Sequence, residues 1–219
     1  MNRHAPAPTR GWEPGTGPQA KPAGSRGGRG ASLIDLVFAL ALVAVVLAIS
    51  VPAFGHARAR ARGEGAARLL MTMCRTARYE AARRGATVGL HVVVQGTRTG
   101  IRAHVDGDGD GISTNDLLDG TDPPLGGARH LADEFPGVAI AILEPLPGID
   151  GGATQPAGAS AVQVGSRNVL SFTPDGAASG GTVYLTALHD TVYAVRVQST
   201  TGRARVLRLN RATGQWESP

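Results

Sequence analysis

Residues 31–51, reading ASLIDLVFALALVAVVLAISV, form an apolar run broken by one charge, Asp35. At 1.5 Å per helical residue the run extends roughly 32 Å, enough to cross the hydrocarbon core of a bilayer. Arg26, Arg29 and Gly30 stand directly before it, and Pro52 directly follows it. A secretory signal has a shorter apolar stretch, with its small-residue cleavage point after that stretch. Here the small residue comes first. A cut after Gly30 would remove a basic leader and leave the apolar helix on the remaining chain.

Charge follows the same division. Of the formal +5, residues 1–30 hold +4, from five basic residues and one acid. They also contain seven Gly and five Pro without apolar periodicity, a composition that predicts disorder. Positive charge on this side of the run predicts a cytoplasmic leader, with everything after residue 51 facing outward. The net charge of the rest, near zero, argues against a globally basic nucleic-acid binder. The local asymmetry is larger: residues 56–84 carry eight Arg against two acids, and residues 104–134 carry eight acids against one Arg. One cysteine, Cys74, excludes an intrachain disulfide, and its neighbours Leu70, Met73 and Ala77 predict a buried place on a helix.

From residue 53 to about residue 84 the pattern is amphipathic. Leu70, Met73, Ala77 and Ala81 fall on one helical face, Arg68, Arg75, Arg78 and Arg83 lie on others, and Gly85 is placed to cap the end. Gly63 and Gly65 are weak points in that helix. After Gly85 the period changes to that of strands, predicted at 87–94, 99–105, 137–143, 168–173, 182–188, 192–199 and 203–210. The last three are close enough for a meander, and no further α-helix is expected. The fold class is α+β: a long N-terminal helix, membrane-spanning in its first half and amphipathic in its second, packed on an antiparallel sheet or sandwich of about seven strands. The divisions are 1–30, 31–52, 53–85 and 86–219.

Four features of the start fall in register with one family. The stretch resembles the class III signal of type IV pilins and of type II secretion pseudopilins. The resemblance implies cleavage by prepilin peptidase after Gly30 and N-methylation of Ala31, which stands where Phe is usual. It implies a carboxylate for filament assembly at the fifth mature residue, Asp35 in place of the usual Glu, and a helix-interrupting proline at the twenty-second, Pro52. The other end is similar to GspH/FimT minor pseudopilins, on Phe172, Pro174 and Gly176, on Gly181, Thr182, Tyr184 and Leu185, on Thr201, Gly202, Arg203 and Arg205, and on Trp216. The implied protein is a non-catalytic subunit of a secretion pseudopilus. It would be anchored in the inner membrane with its β domain in the periplasm, and its partners would be other pseudopilins and the prepilin peptidase.

Three constellations bear on chemistry. Asp35 would pair with a neighbouring subunit's N-terminal amine, as the family implies, while Ser32 with Asp35 also reads as a local capping box. In the loop VDGDGDGISTNDLLDGTD, Asp106, Asp108 and Asp110 alternate as in the first half of a calcium loop, with Asp116 or Asp119 placed to close the shell. The twelfth position holds Leu117 and strands flank the loop, so it is not an EF-hand; the alternative is a solvated Asp/Gly turn. Near the end stand Arg203, Arg205, Arg208 and Arg211. Arg203 and Arg205 share a strand face that could contact phosphates, the alternative being a solvated strand face with Val206, Leu207 and Leu209 partly in the core. The FimT resemblance gives a DNA-binding minor pilin as the alternative function. A second alternative is a membrane-anchored calcium-binding enzyme. Catalytic signals are poor: His4, His56, His91, His104, His130 and His189 show no metal-ligand spacing, and the His189–Asp190 pair reads as a turn.

Overall fold

The computed structural model describes residues 32–95, 98–165, 169–188 and 191–219, apart from the side chains of residues 49, 51–53, 94 and 95. Gly30, Ala31 and the His189–Asp190 pair lie outside these residues. The first element, α1, is a 52-residue helix, Leu33–Arg84. Its start is capped reciprocally: the Ile34 N–H donates to Ser32 Oγ at 3.4 Å, and the Ser32 N–H donates to the Asp35 carboxylate at 3.2 Å. Its end is Gly85, at φ 66°, whose N–H donates to the Ala81 carbonyl. The helix runs on through Pro52 rather than stopping there, although proline lacks a backbone donor.

The chain divides into two units, Met1–Val45 and Val46–Pro219. The described part of the first is helical, and its Leu33, Ile34, Leu36, Val37, Phe38, Leu40, Leu42 and Val43 side chains are exposed. No helix is long and apolar enough to cross a membrane within the described residues, which include side chains only of residues 32–48 and 50 in the apolar run.

In the second unit α1 buries Ala59, Ala66, Ala67, Leu70, Cys74, Ala77 and Ala81, a face dominated by small residues. Met73, expected on that face, is half-buried beside it. Small residues let sheets approach closely. A Cβ at Gly63 would stand 2.6 Å from the Tyr193 ring, and one at Gly65 would stand 2.5 Å from the Phe135 ring. These two glycines, weak points by helix propensity, are therefore places of close contact.

Two antiparallel sheets meet the helix. In the first, β1 (Val88–Gln95) lies between β2 (Arg98–Val105) and β5 (Val169–Phe172). In the second, β6 (Gly181–Ala187), β7 (Thr191–Val197) and β8 (Ala204–Asn210) form the expected meander, continued by β9 (Gln215–Glu217). The far side of β6 pairs with β3 (Val138–Ala139) and β4 (Val162–Val164). The described residues thus hold nine strands rather than about seven. The added β4 and β9 have three residues each, too short for an alternating pattern to show. The strand expected over 137–143 shrinks to β3. Two short helices also replace the expectation of none after residue 85: α2 (Thr114–Asp119) and α3 (Leu131–Glu134). The Ser113 cap and Gly120 end of α2 are turn formers, so that segment reads as loop in sequence.

The second sheet is buried on both faces. Val183, Leu185, Tyr193, Val195 and Val206 join Leu70, Cys74, Val88 and Phe172 in the main core. The alternate positions Tyr184, Val192, Ala194, Leu207 and Leu209 form a second core with Ile142, Leu146 and Ile149 of the 140–161 segment. Trp216 seals that side: its Nε1–H donates to the Pro147 carbonyl at 2.9 Å, and its ring lies 5.9 Å from that of Tyr184.

Candidate functional site

Asp35 stands in the first turn of α1, where its carboxylate holds the Ser32 N–H. That bond occupies one oxygen and leaves acceptor capacity on a carboxylate that has about four lone-pair sites. The processing residues Gly30 and Ala31, and so the amine that cleavage would create, lie outside the described residues.

The acidic loop is built differently from the set its spacing suggests. Asp106 accepts the N–H groups of Gly109 (2.7 Å) and Gly111 (3.0 Å), and the chain curls through these glycines at φ 90° and 98°. Asp122, almost fully buried, accepts the N–H groups of Gly107 (3.1 Å) and Ser113 (3.3 Å), while its carbonyl meets His104 Nδ1 at 3.0 Å. Oxygens of Asp106, Asp108 and Asp122 lie within 4.8 Å of one another. The expected and observed groups share Asp106 and Asp108. Asp116 is instead engaged with the cap of α2, accepting from the Ser113 hydroxyl. Asp110 is exposed, and repulsion from Asp108, then burial and Asp116, pushes its carboxyl above the usual range. Asp119 accepts the Thr121 N–H, which lowers its pKa. Calcium takes six to eight oxygens. The three carboxylates carry six oxygens between them, and several of these already accept loop amides, so they close the loop on itself.

Asp122 carried no signal as a site residue, since the run Thr121–Asp122–Pro123–Pro124 reads as turn. Cys74 is buried as expected, and burial pushes its thiol up to about 12, which removes it as a nucleophile at neutral pH.

The arginines separate into two groups. Arg196 and Arg205 stand directly opposite each other on β7 and β8, and Asp150 bridges them at 3.2 and 2.5 Å. Asp150 comes from a 3-10 turn, Ile149–Gly151, where it takes the left-handed conformation at φ 53°. Arg203 precedes β8 and lines the same cavity as these three residues. It also lines a second cavity of about 730 Å³ with Arg75 and Arg78 of α1, whose role the spacing along the helix did not reveal. Of the pair expected on one strand face, Arg205 is committed to Asp150, and Arg203 is turned toward the helix arginines as well.

Residues 66–213 match the family described as type II transport protein GspH, and the match runs from the second half of α1 into the segment after β8. No curated protein and no solved structure matches the chain. The matched segment contains β1 to β8, most of both cores and the arginines of the two cavities, while Gly63, Gly65, β9 and the helix start lie outside it. The chain belongs to the GspH family, the pilin-like pseudopilins of type II secretion.

Proposed function

We propose that the chain is a minor, non-catalytic subunit of a type II secretion pseudopilus, made with a leader that is cut after Gly30. The observation that carries this reading is the GspH match over residues 66–213. The start of the chain supports it. Asp35 occupies the first turn of a 52-residue helix that begins in apolar side chains and ends against the β domain. In this reading residues 31–51 rest in the inner membrane, the β domain faces the periplasm, and Ala31 carries the methylated amine. Asp35 would exchange its bond to Ser32 for the amine of a neighbouring subunit, neutralising two charges in lipid. A carboxylate in a bilayer costs about 2.5–3.5 kcal/mol at mid-helix on insertion scales and less near an end, where Asp35 stands, and that smaller cost favours the pairing.

The pilus alternative, in which Arg203 and Arg205 hold DNA, loses one of its two cations to Asp150, and the secretion role is preferred. The test is N-terminal sequencing of the mature protein together with incorporation of Asp35→Ala into filaments. A methylated Ala31 start and loss of incorporation are expected. An uncut leader, or a variant that incorporates like the parent, removes the reading.

A further inference from the structure

We infer that the end of the β domain at which α1 enters is a membrane-docking surface, one that rests on anionic phospholipid headgroups. The inference depends on the reading that residues 31–51 lie in the membrane, and adds a second contact with the same bilayer.

The surface begins on the helix. Residues 54–62 hold three Arg and no acid, and Arg58 and Arg60 are exposed. The end of the apolar run, residues 46–51, belongs to the same unit as the β domain. Counted along α1 from residue 51, Arg58 stands about 10 Å on and Arg62 about 16 Å on. The headgroup zone extends roughly 5–8 Å beyond the hydrocarbon on each side. Helical Cα–Cβ bonds tilt toward the N-terminus, so these side chains lean back toward the apolar run. Arginine stems span the remaining gap and carry the guanidinium to the phosphates.

The larger sheet continues this surface. The Tyr193 hydroxyl donates to the Arg60 carbonyl, which fixes the start of β7 beside this part of the helix. Tyr193 lies opposite Arg208, near the end of β8. The turns after β6 and after β8 therefore meet the helix at one end of the domain. Arg60, Arg208 and Arg211 line one cavity there, together with Glu144. The neighbouring Glu64, Asp133, Glu134 and Glu144 are each matched by an arginine of their own. Among the described residues that leaves Glu217, opposite Arg208 and accepting from Asn210, against Arg58, Arg60, Arg62 and Arg208. This end is basic.

Apolar side chains in the same place distinguish a bilayer from other sources of phosphate. Phe54 is exposed on the helix four residues before Arg58. Leu188, also exposed, packs on Gly137, where a Cβ would come 2.7 Å from its Cδ1. The adjoining Pro136 carbonyl accepts from Arg62 at 3.1 Å, so Leu188 and Arg62 are neighbours. Leu143, next to Glu144 in the chain, is exposed as well. Arginines interspersed with exposed Phe and Leu suit the boundary between headgroups and acyl chains. A nucleic-acid backbone or free phosphate makes no use of the apolar groups.

The test uses the full chain in phosphatidylcholine vesicles with a trace of spin-labelled phosphatidylglycerol or spin-labelled phosphatidylcholine. Electron spin resonance reads which lipid is enriched beside the protein. The parent should prefer phosphatidylglycerol, and less so at raised salt. Arg58→Glu with Arg60→Glu should lower that preference about fivefold or more, and Arg58→Gln with Arg60→Gln by a smaller factor. Both positions are exposed, and an unchanged thermal midpoint keeps folding out of the comparison. Arg75→Glu with Arg203→Glu makes the same change of charge, with Arg75 about 26 Å further along α1 than Arg58, and should leave the preference intact. The leader is common to all and contributes equally. If the Arg58 and Arg60 variants keep the parent's preference, or the Arg75 and Arg203 variant loses as much, the inference fails. It fails as well if a short DNA duplex binds the parent through Arg58 and Arg60 while lipid preference stays unchanged by their substitution. Retention on vesicles through an alkaline wash is read in parallel. A parent that washes off overturns the membrane reading itself, whereas one that is retained without lipid preference overturns the docking surface alone.

Discussion

The Tyr193 hydroxyl donates to the carbonyl of Arg60 at 3.0 Å, inside α1, next to the place where Gly63 lets the ring lie on the helix. One residue thus fills the core and satisfies a helix carbonyl. Tyr193→Phe removes the bond but keeps the ring, and should lower stability by about 0.5–1.5 kcal/mol in denaturant titration. Gly63→Ala places a methyl group 2.6 Å from the ring edge. Despite the better helix propensity of alanine, it should destabilise by about 1–3 kcal/mol, the usual range for overpacking. A gain in stability would show that the helix and Tyr193 are not in close contact. Sequence reasoning saw Gly63 only as a local weakness, because the partner that explains it lies 130 positions further along. Cys74 was legible for the opposite reason: its apolar neighbours at helical spacing already told its side.

Among the elements, α1 was the most readable, since a capping pair, a long periodic face and a terminal glycine all agree. The acidic loop was the least. Spacing placed Asp106, Asp108 and Asp110 in one series, yet the loop closes on amide groups through Asp106 and the distant Asp122. Alternation in sequence says which carboxylates are near, but not which ones backbone donors will claim. Asp122→Ala leaves two loop amides without an acceptor and should cost about 1–3 kcal/mol, read as a lower thermal midpoint. Calcium at millimolar concentration should move that midpoint by less than the substitution does. A larger calcium shift, lost in Asp108→Asn, would instead show a metal site. The strands divide the same way: the long ones β1, β2, β6, β7 and β8 show apolar patterning, while β4 and β9 exist only because neighbours offer them edges.

At the scale of the molecule the larger sheet of the second unit is covered twice, by α1 and residues of the first sheet on one face and by the 140–161 segment on the other. The meander of β6 to β8 was legible from its close spacing, but only the structure shows that β6 and β7 are buried at nearly every position and that an irregular Gly/Ala/Pro-rich segment supplies the second cover. That segment is held by Trp216 through Pro147 and Tyr184. Trp216→Ala should cost about 3–5 kcal/mol if the site cannot collapse. It should also make the segment around residue 150 the first site of proteolytic nicking, while the α1 contacts persist. Simultaneous loss of both cores in a single cooperative step would show that the covers are not separable.

The long reach of these fastenings sets a schedule. Tyr193 joins the helix across 133 positions and Trp216 joins Pro147 across 69. During synthesis the helix and the β1–β2 hairpin emerge early, but the partners that bury them arrive at the end of the chain. Contacts so distant in sequence form slowly. A nascent chain would therefore spend the interval with its small-residue helix face uncovered, in need of a chaperone and open to a protease until β7 to β9 arrive. Commitment to the folded subunit then comes with the last strands to leave the ribosome.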